Sequence, residues 1–194
     1  MKKIIFILLL FVSCKNTTND KIELGYQNDT KIQKIGIGLI QQVKTSEPIE
    51  LYKDKLFTKI LKDDITTIPI LNKPDYGILF FVCLKKNTSY YKIAISKNKY
   101  AYIKTSKKYI FYSWKNFLIE QVTSFDNKDE INNKPKIKIN GHTIKKLVKK
   151  EDDEIEIIEV NGSWIKVNNT TQNIIYWLKW KEKNKLLITI NLLM

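Results

Sequence analysis

Arginine is missing from this chain of 194 residues: all 34 basic side chains are lysine. A protein that reads base sequence is expected to use guanidinium forks, which grip two acceptors of a base at once, and an ammonium does not replace them. Nucleic acid is therefore not an expected partner, in spite of a formal net charge of +14. Lys, Asn and Ile, all with AT-rich codons, are abundant together, so most of this charge reads as a solvated surface. Histidine occurs once, as His142 in the turn-like stretch "INGHTIKK". A metal site needs several His, Cys or carboxylate ligands at workable spacing, and none is visible, so neither metal nor cofactor is expected. The six glycines are scattered and form no phosphate loop. Only "GIGLI", residues 36–40, groups two of them, and it reads as the start of a twisted strand. Cysteine occurs twice, at Cys14 and Cys83. Cys83 lies in the apolar run "GILFFVCLKK", where a buried, inert thiol is expected. A Cys83–His142 nucleophile pair would need both groups in one site. The chain is therefore not expected to be an enzyme. The acidic run "EDDE", residues 151–154, lacks the ligand spacing of a calcium loop and reads as a solvated turn.

Long apolar runs are also scarce. The longest opens the chain, in "MKKIIFILLLFVSCKN". Two lysines, a short apolar stretch and a small residue make a secretory signal, too short to span a bilayer as a mature helix. Phe11-Val12-Ser13 before Cys14 resembles a bacterial lipobox, with Phe where Leu is usual. The resemblance implies cleavage after residue 13 and lipidation of Cys14, which would be the membrane partner's anchor through buried CH₂ groups. Residues 14–33 are polar and read as a tether. The implied location is the cell envelope, on the periplasmic side of the outer membrane, with surface display left open.

Beyond the tether, strand signals dominate. β-branched and aromatic clusters recur at close spacing, separated by Asn, Lys, Asp, Gly and Pro. This favours an all-β protein of small barrels or sandwiches over a parallel α/β sheet. "FYSWKNFLIEQV" is ambiguous between strand and short helix. "SFDNKDEINNKP", residues 124–135, has few apolar positions and reads as a linker between a domain at 34–123 and a second at 136–194.

Two segments flanking that linker look alike: "YYKIAISKNKYAYIK" (90–104) and "WIKVNNTTQNIIYWLK" (164–179). Aligning Tyr90-Tyr91-Lys92-Ile93 with Trp164-Ile165-Lys166-Val167 brings Tyr102-Ile103-Lys104 onto Trp177-Leu178-Lys179. Each reads as strand, turn, strand, one unit used twice. Alternation then assigns faces. Ile165 and Val167 point to the core, as do Tyr176, Leu178 and Trp180. Trp164 and Trp177 share the opposite face, and Tyr90 and Tyr102 occupy the corresponding one. Aromatic pairing across a hairpin is reason enough for such rings, and an indole N–H also suits a half-wet binding site. Trp114 and Trp180 are assigned to packing.

"WIKV", a turn, then "YWLKW" resembles the W-x-K-V … G-W-V pattern of bacterial SH3-like domains, with Tyr176 in place of the Gly. "IELYKDK", "KPDYGILFFVCLKK", "YYKIAI" and "FYSWKNFL" extend a resemblance to SH3-like envelope proteins of Bacteroidetes-type bacteria over most of residues 47–194. The resemblance implies two small SH3-like β-barrels in tandem. It also implies binding of a peptide, cell-wall fragment or protein segment through aromatic faces. Trp164, Trp177, Tyr90 and Tyr102 are the candidate residues, with Tyr52 as a further one. A lipid-anchored inhibitor or immunity-type protein, blocking one toxin or hydrolase, is the alternative expectation.

Overall fold

The computed structural model describes residues 23–61, 67–144, 147, 150 and 153–193. The expected signal peptide, Cys14 and the first part of the expected tether lie outside the described residues, as do Glu151 and Asp152 of the acidic run.

Strands dominate, and every pairing between them is antiparallel. β1 (Gly38–Gln42) lies between β3 (Ile78–Lys86) and β6 (Tyr109–Ser113). β4 (Tyr90–Ser96) and β5 (Lys99–Lys104) extend the sheet past β3, and β2 (Leu71–Lys73) pairs with the start of β3 on the edge that β4 uses further on. β7 (Ser124–Asn127) pairs with β13 (Ile188–Asn191), β8 (Ile155–Asn161), β9 (Trp164–Asn169) and β10 (Ile174–Lys179) form a meander, and β11 (Lys181–Glu182) with β12 (Lys185–Leu186) makes a short hairpin. None of these sheets closes into a barrel.

The glycines of "GIGLI" are fixed by close approach. Gly36 has φ 62°, and a Cβ there would overlap the Cys83 carbonyl; a Cβ on Gly38 would overlap the Tyr112 carbonyl across the β1–β6 pair. Only a bare backbone fits between the strands at these points. The ambiguous aromatic stretch is strand and then helix. β6 ends at Ser113, whose Oγ accepts from the Asn116 N–H and so caps α2 (Trp114–Glu120).

The two halves repeat one plan in detail. β4–β5 pairs Tyr90 with Lys104, Tyr91 with Ile103 and Lys92 with Tyr102. β9–β10 pairs Trp164 with Lys179, Ile165 with Leu178 and Lys166 with Trp177. The register shifts between Cys83 and Lys85 on β3, and at the equivalent point between Ile157 and Glu159 on β8. Each half also has a short irregular hairpin whose arm bridges the last meander strand: Tyr52 meets Tyr102, and Lys136 meets Trp177. Both bridges carry reciprocal backbone hydrogen bonds of 2.8–2.9 Å. The final strand of each half returns to its first, β6 to β1 and β13 to β7.

The copies differ in how their cores are enclosed. The first sheet wraps a cluster of its own, built from Ile40, Leu51, Phe81, Cys83, Ile93 and Ile103. The inward side chains of the second copy, among them Ile157, Ile165, Leu178 and Trp180, join a larger cluster. That cluster takes in the outer face of the first sheet (Leu39, Phe80, Val82) and α2 (Trp114, Phe117, Leu118). Trp114 and Trp180 meet within it, ring centroids 5.0 Å apart. β3 is thus buried on both faces, which is why "ILFFVC" is apolar without alternation.

Two segments differ from their sequence reading. The expected linker carries β7, with Phe125 buried in the shared cluster. Its single inward residue is all that a short edge strand needs, so composition alone reads as loop. The latter part of the expected tether is folded as well. α1 (Asp29–Ile32) buries Ile32, and Gln27 donates to the Ile188 carbonyl and accepts from the Ile190 N–H. Asn28 donates to the Pro69 carbonyl, so this segment bonds to both copies. No helix among the described residues is long and apolar enough to cross a membrane.

Candidate functional site

Alternation along β9 and β10 sends Ile165, Val167, Tyr176 and Leu178 inward, all buried. Burial pushes the Tyr176 phenol up to about 12, with a smaller contribution from Asp153. Trp164, Lys166, Trp177 and Lys179 face outward and are half-buried. The register makes a checkerboard: Trp164 stands opposite Lys179, and Lys166 opposite Trp177. The Lys179 and Lys136 ammonium groups lie 5.6 and 5.3 Å from the Trp164 ring, and Lys166 lies 5.9 Å from the Trp177 ring. Neither outward indole N–H bonds to another described residue, whereas Trp180 donates to Gly162 O at 3.1 Å and Trp114 to Ile35 O at 2.8 Å. The two core tryptophans are satisfied internally, and the two surface ones are free to donate.

The first copy has the same checkerboard with phenols for indoles. Tyr90 faces Lys104 and Lys92 faces Tyr102. The Tyr90 and Tyr102 rings meet edge to face at 5.4 Å, and Tyr100 adds a third ring, 5.9 Å from Tyr102. Lys92 lies 3.5 Å over the Tyr100 ring. Burial, and then the neighbouring phenols Tyr100 and Tyr90, hold the Tyr102 hydroxyl above its ordinary value. Tyr52 sits against Phe57 at 5.1 Å, beneath Lys104, and donates to Glu50.

Exposure separates the candidates. Trp164, Trp177 and Tyr102 are half-buried, while Tyr90 and Tyr52 are buried beneath their neighbours and present little surface. Two aromatics outside the expected set share these faces: Tyr100, which is 46% exposed, and Phe57, half-buried in the hairpin. Tyr100 was detectable, since it lies two residues before Tyr102 on the same strand and must share its face. The lysines opposite the rings were detectable from the same aligned pairs.

No family model, curated protein or solved structure matches the chain.

Other chemistry in the described residues is inert or distant. Cys83 is wholly buried, and burial pushes its thiol up to about 12, so at neutral pH it is a packed thiol and not a nucleophile. His142 is exposed on the second hairpin. No group of three or more His, Cys, Asp or Glu could hold a metal ion among the described residues. Asp153 is turned inward and held by the Lys150 N–H, which with the Asn169 and Gln172 side chains keeps its carboxyl below the usual range. A cleft of about 750 Å³ lies between α1 and the β11–β12 turn, lined by Asp29, Gln33, Glu182 and Lys185. The aromatic faces do not line it; they are open sheet surfaces.

Proposed function

We propose that this chain is a lipid-anchored binding protein of the cell envelope. In this reading it is built of two SH3-like units and holds a peptide, wall fragment or protein segment through the outward aromatic faces. One observation carries this. At four aligned outward positions the two copies keep the same chemistry, lysine at two (Lys92 and Lys166, Lys104 and Lys179) and an aromatic at two (Tyr90 and Trp164, Tyr102 and Trp177), while Lys85 and Glu159, and Tyr100 and Ile175, differ. At the aligned inward positions the residues change in size but stay apolar or aromatic and buried: Tyr91 and Ile165, Ile93 and Val167, Ala101 and Tyr176, Ile103 and Leu178. Packing accounts for the inward apolar character, but it does not call for lysine beside an aromatic on the outward face of both copies. Cross-strand pairs of this kind stabilise a sheet by only about 0.2–1 kcal/mol, too little to account for the pattern. Lipid on Cys14 would hold these faces close to the membrane.

The test compares wild type with Trp164→Ala/Trp177→Ala and with Tyr100→Ala/Tyr102→Ala for binding to purified wall fragments and to solubilised envelope. Loss of binding in a variant that still folds supports the reading. Retention of every interaction by both variants removes it. Capture of one specific toxin or hydrolase in place of wall material would favour the inhibitor reading. Mass spectrometry of the mature N-terminus tests the anchor separately.

A further inference from the structure

The two faces differ at one position in a way that points to a ligand. Across each meander runs a row of outward residues in direct register: Lys85, Lys92 and Tyr102 in the first copy, and Glu159, Lys166 and Trp177 in the second. In the second copy the row contains its own ion pair, Glu159 to Lys166 at 3.8 Å, and Lys179 pairs with Glu182 at 3.2 Å. In the first copy the position of the glutamate is a lysine. Lys85 stands directly opposite Lys92, and neither makes an ion pair with another described residue. Like charges in direct cross-strand register destabilise a sheet. Among the described acids, Asp54 accepts from the Leu56 and Lys59 N–H groups and from Thr58, and Glu50 accepts from Tyr52.

We propose that Lys85 and Lys92 form a carboxylate clamp, and that the first copy's face takes an acidic peptide whose carboxylate sits where Glu159 sits in the second copy. The inference rests on the aromatic faces being binding surfaces and names what one of them reads. The second copy supplies the template: a glutamate on the outward row, ion-paired with the central lysine beside an aromatic ring. In the first copy the ligand supplies that glutamate. Its methylenes lie against Tyr100 and Tyr102 while its carboxylate bridges the two ammonium groups. An extended peptide places alternate side chains about 6.7 Å apart, the same spacing as Lys92 and Tyr90 along β4, so a second apolar or acidic side chain falls in step with the sheet. The second copy, with its lysines paired internally, presents an apolar indole face with Ile175, 52% exposed, beside it.

The experiment titrates the full chain with acetylated hexaglutamate at low salt, following backbone amide shifts, with hexaglutamine, tripolyphosphate and phosphatidylglycerol vesicles as parallel probes. Hexaglutamate is expected to bind once, at β3–β5, with affinity falling as salt is raised. Lys85→Glu rebuilds the internal pair of the second copy. It is expected to raise the unfolding midpoint and to weaken hexaglutamate binding at least tenfold, a combination that a merely structural lysine pair does not produce. Glu159→Lys is expected to create a second site and raise the stoichiometry from one to two. Unchanged binding in Lys85→Glu overturns the clamp, and so does equal binding of hexaglutamine. Preference for tripolyphosphate or for vesicles over hexaglutamate also overturns it, in favour of a phosphate or a membrane surface. If the aromatic double variants lose wall or envelope binding while hexaglutamate fails to bind wild type, the faces still bind and only their acidic specificity is refuted.

Discussion

Replacing Trp180 with alanine is expected to loosen both copies and not just its own. Trp180 is 1% exposed, belongs to the cluster shared by the two copies and packs on Trp114 of α2. Its N–H is bonded to the Gly162 carbonyl. Truncating a buried tryptophan to alanine costs about 3–5 kcal/mol, from lost transfer energy and the cavity left behind. Each kcal/mol lowers Tm by about 2–4 °C in a protein of this size, so a fall of about 8–16 °C is expected for a loss near 4 kcal/mol. Cys83 provides a reporter in the other cluster, because it is sealed in the first copy's own core. In a Cys14→Ser background, urea unfolding would be followed by tryptophan fluorescence and by labelling of the Cys83 thiol. The shared cluster predicts that Trp180→Ala moves both transitions together. A fluorescence transition that shifts by several kcal/mol while Cys83 protection stays as in wild type would refute the coupling.

Further outcomes follow from the same geometry. Trp164→Ala should cost less than about 1 kcal/mol in urea titration, since its ring is half-buried and its partners are cross-strand lysines. Gly36→Ala should cost more than about 2 kcal/mol, because the new Cβ meets the Cys83 carbonyl in a left-handed backbone; calorimetry checks this. The Asp153 carboxyl is held below its ordinary value in the folded chain. Its contribution is therefore complete above the usual carboxylate range and is lost as pH falls through the depressed value, so Asp153→Asn should flatten the acid side of the stability–pH curve. The native Cys83 thiol, pushed up to about 12, should resist alkylation at pH 8 until the chain unfolds, as mass spectrometry of iodoacetamide-treated protein would show.

The sequence made the repeat legible because its signal is local. Tyr90 to Lys104 and Trp164 to Lys179 lie on adjacent strands, and alternation within each strand assigns the faces without knowledge of the rest of the fold. Trp180 was separable from Trp164 and Trp177 for the same reason, whereas Trp114 opens α2 and no strand alternation assigns its face. What stayed hidden depends on partners distant in sequence. The merging of the second core with the back of the first sheet follows from the two-sided burial of β3. Its sign was the unbroken run of Phe80 to Cys83, equally compatible with a central strand of one small barrel. β7 was hidden because only Phe125 turns inward, and the folded part of the tether because Gln27 and Asn28 hold it by polar bonds that hydropathy does not register. The Lys85–Lys92 opposition required the bulge on β3, a register shift that no pattern in "VCLKKN" specifies.

The outward rings are proposed to bind, whereas the inward ones only pack. Indole N–H resonances of ¹⁵N-labelled protein report all four tryptophans at once during titration with muropeptides from digested wall. Trp164 and Trp177 are expected to shift in saturable fashion while Trp114 and Trp180 stay in place. Four unmoved resonances at saturating ligand, or shifts confined to Trp114 and Trp180, would contradict it.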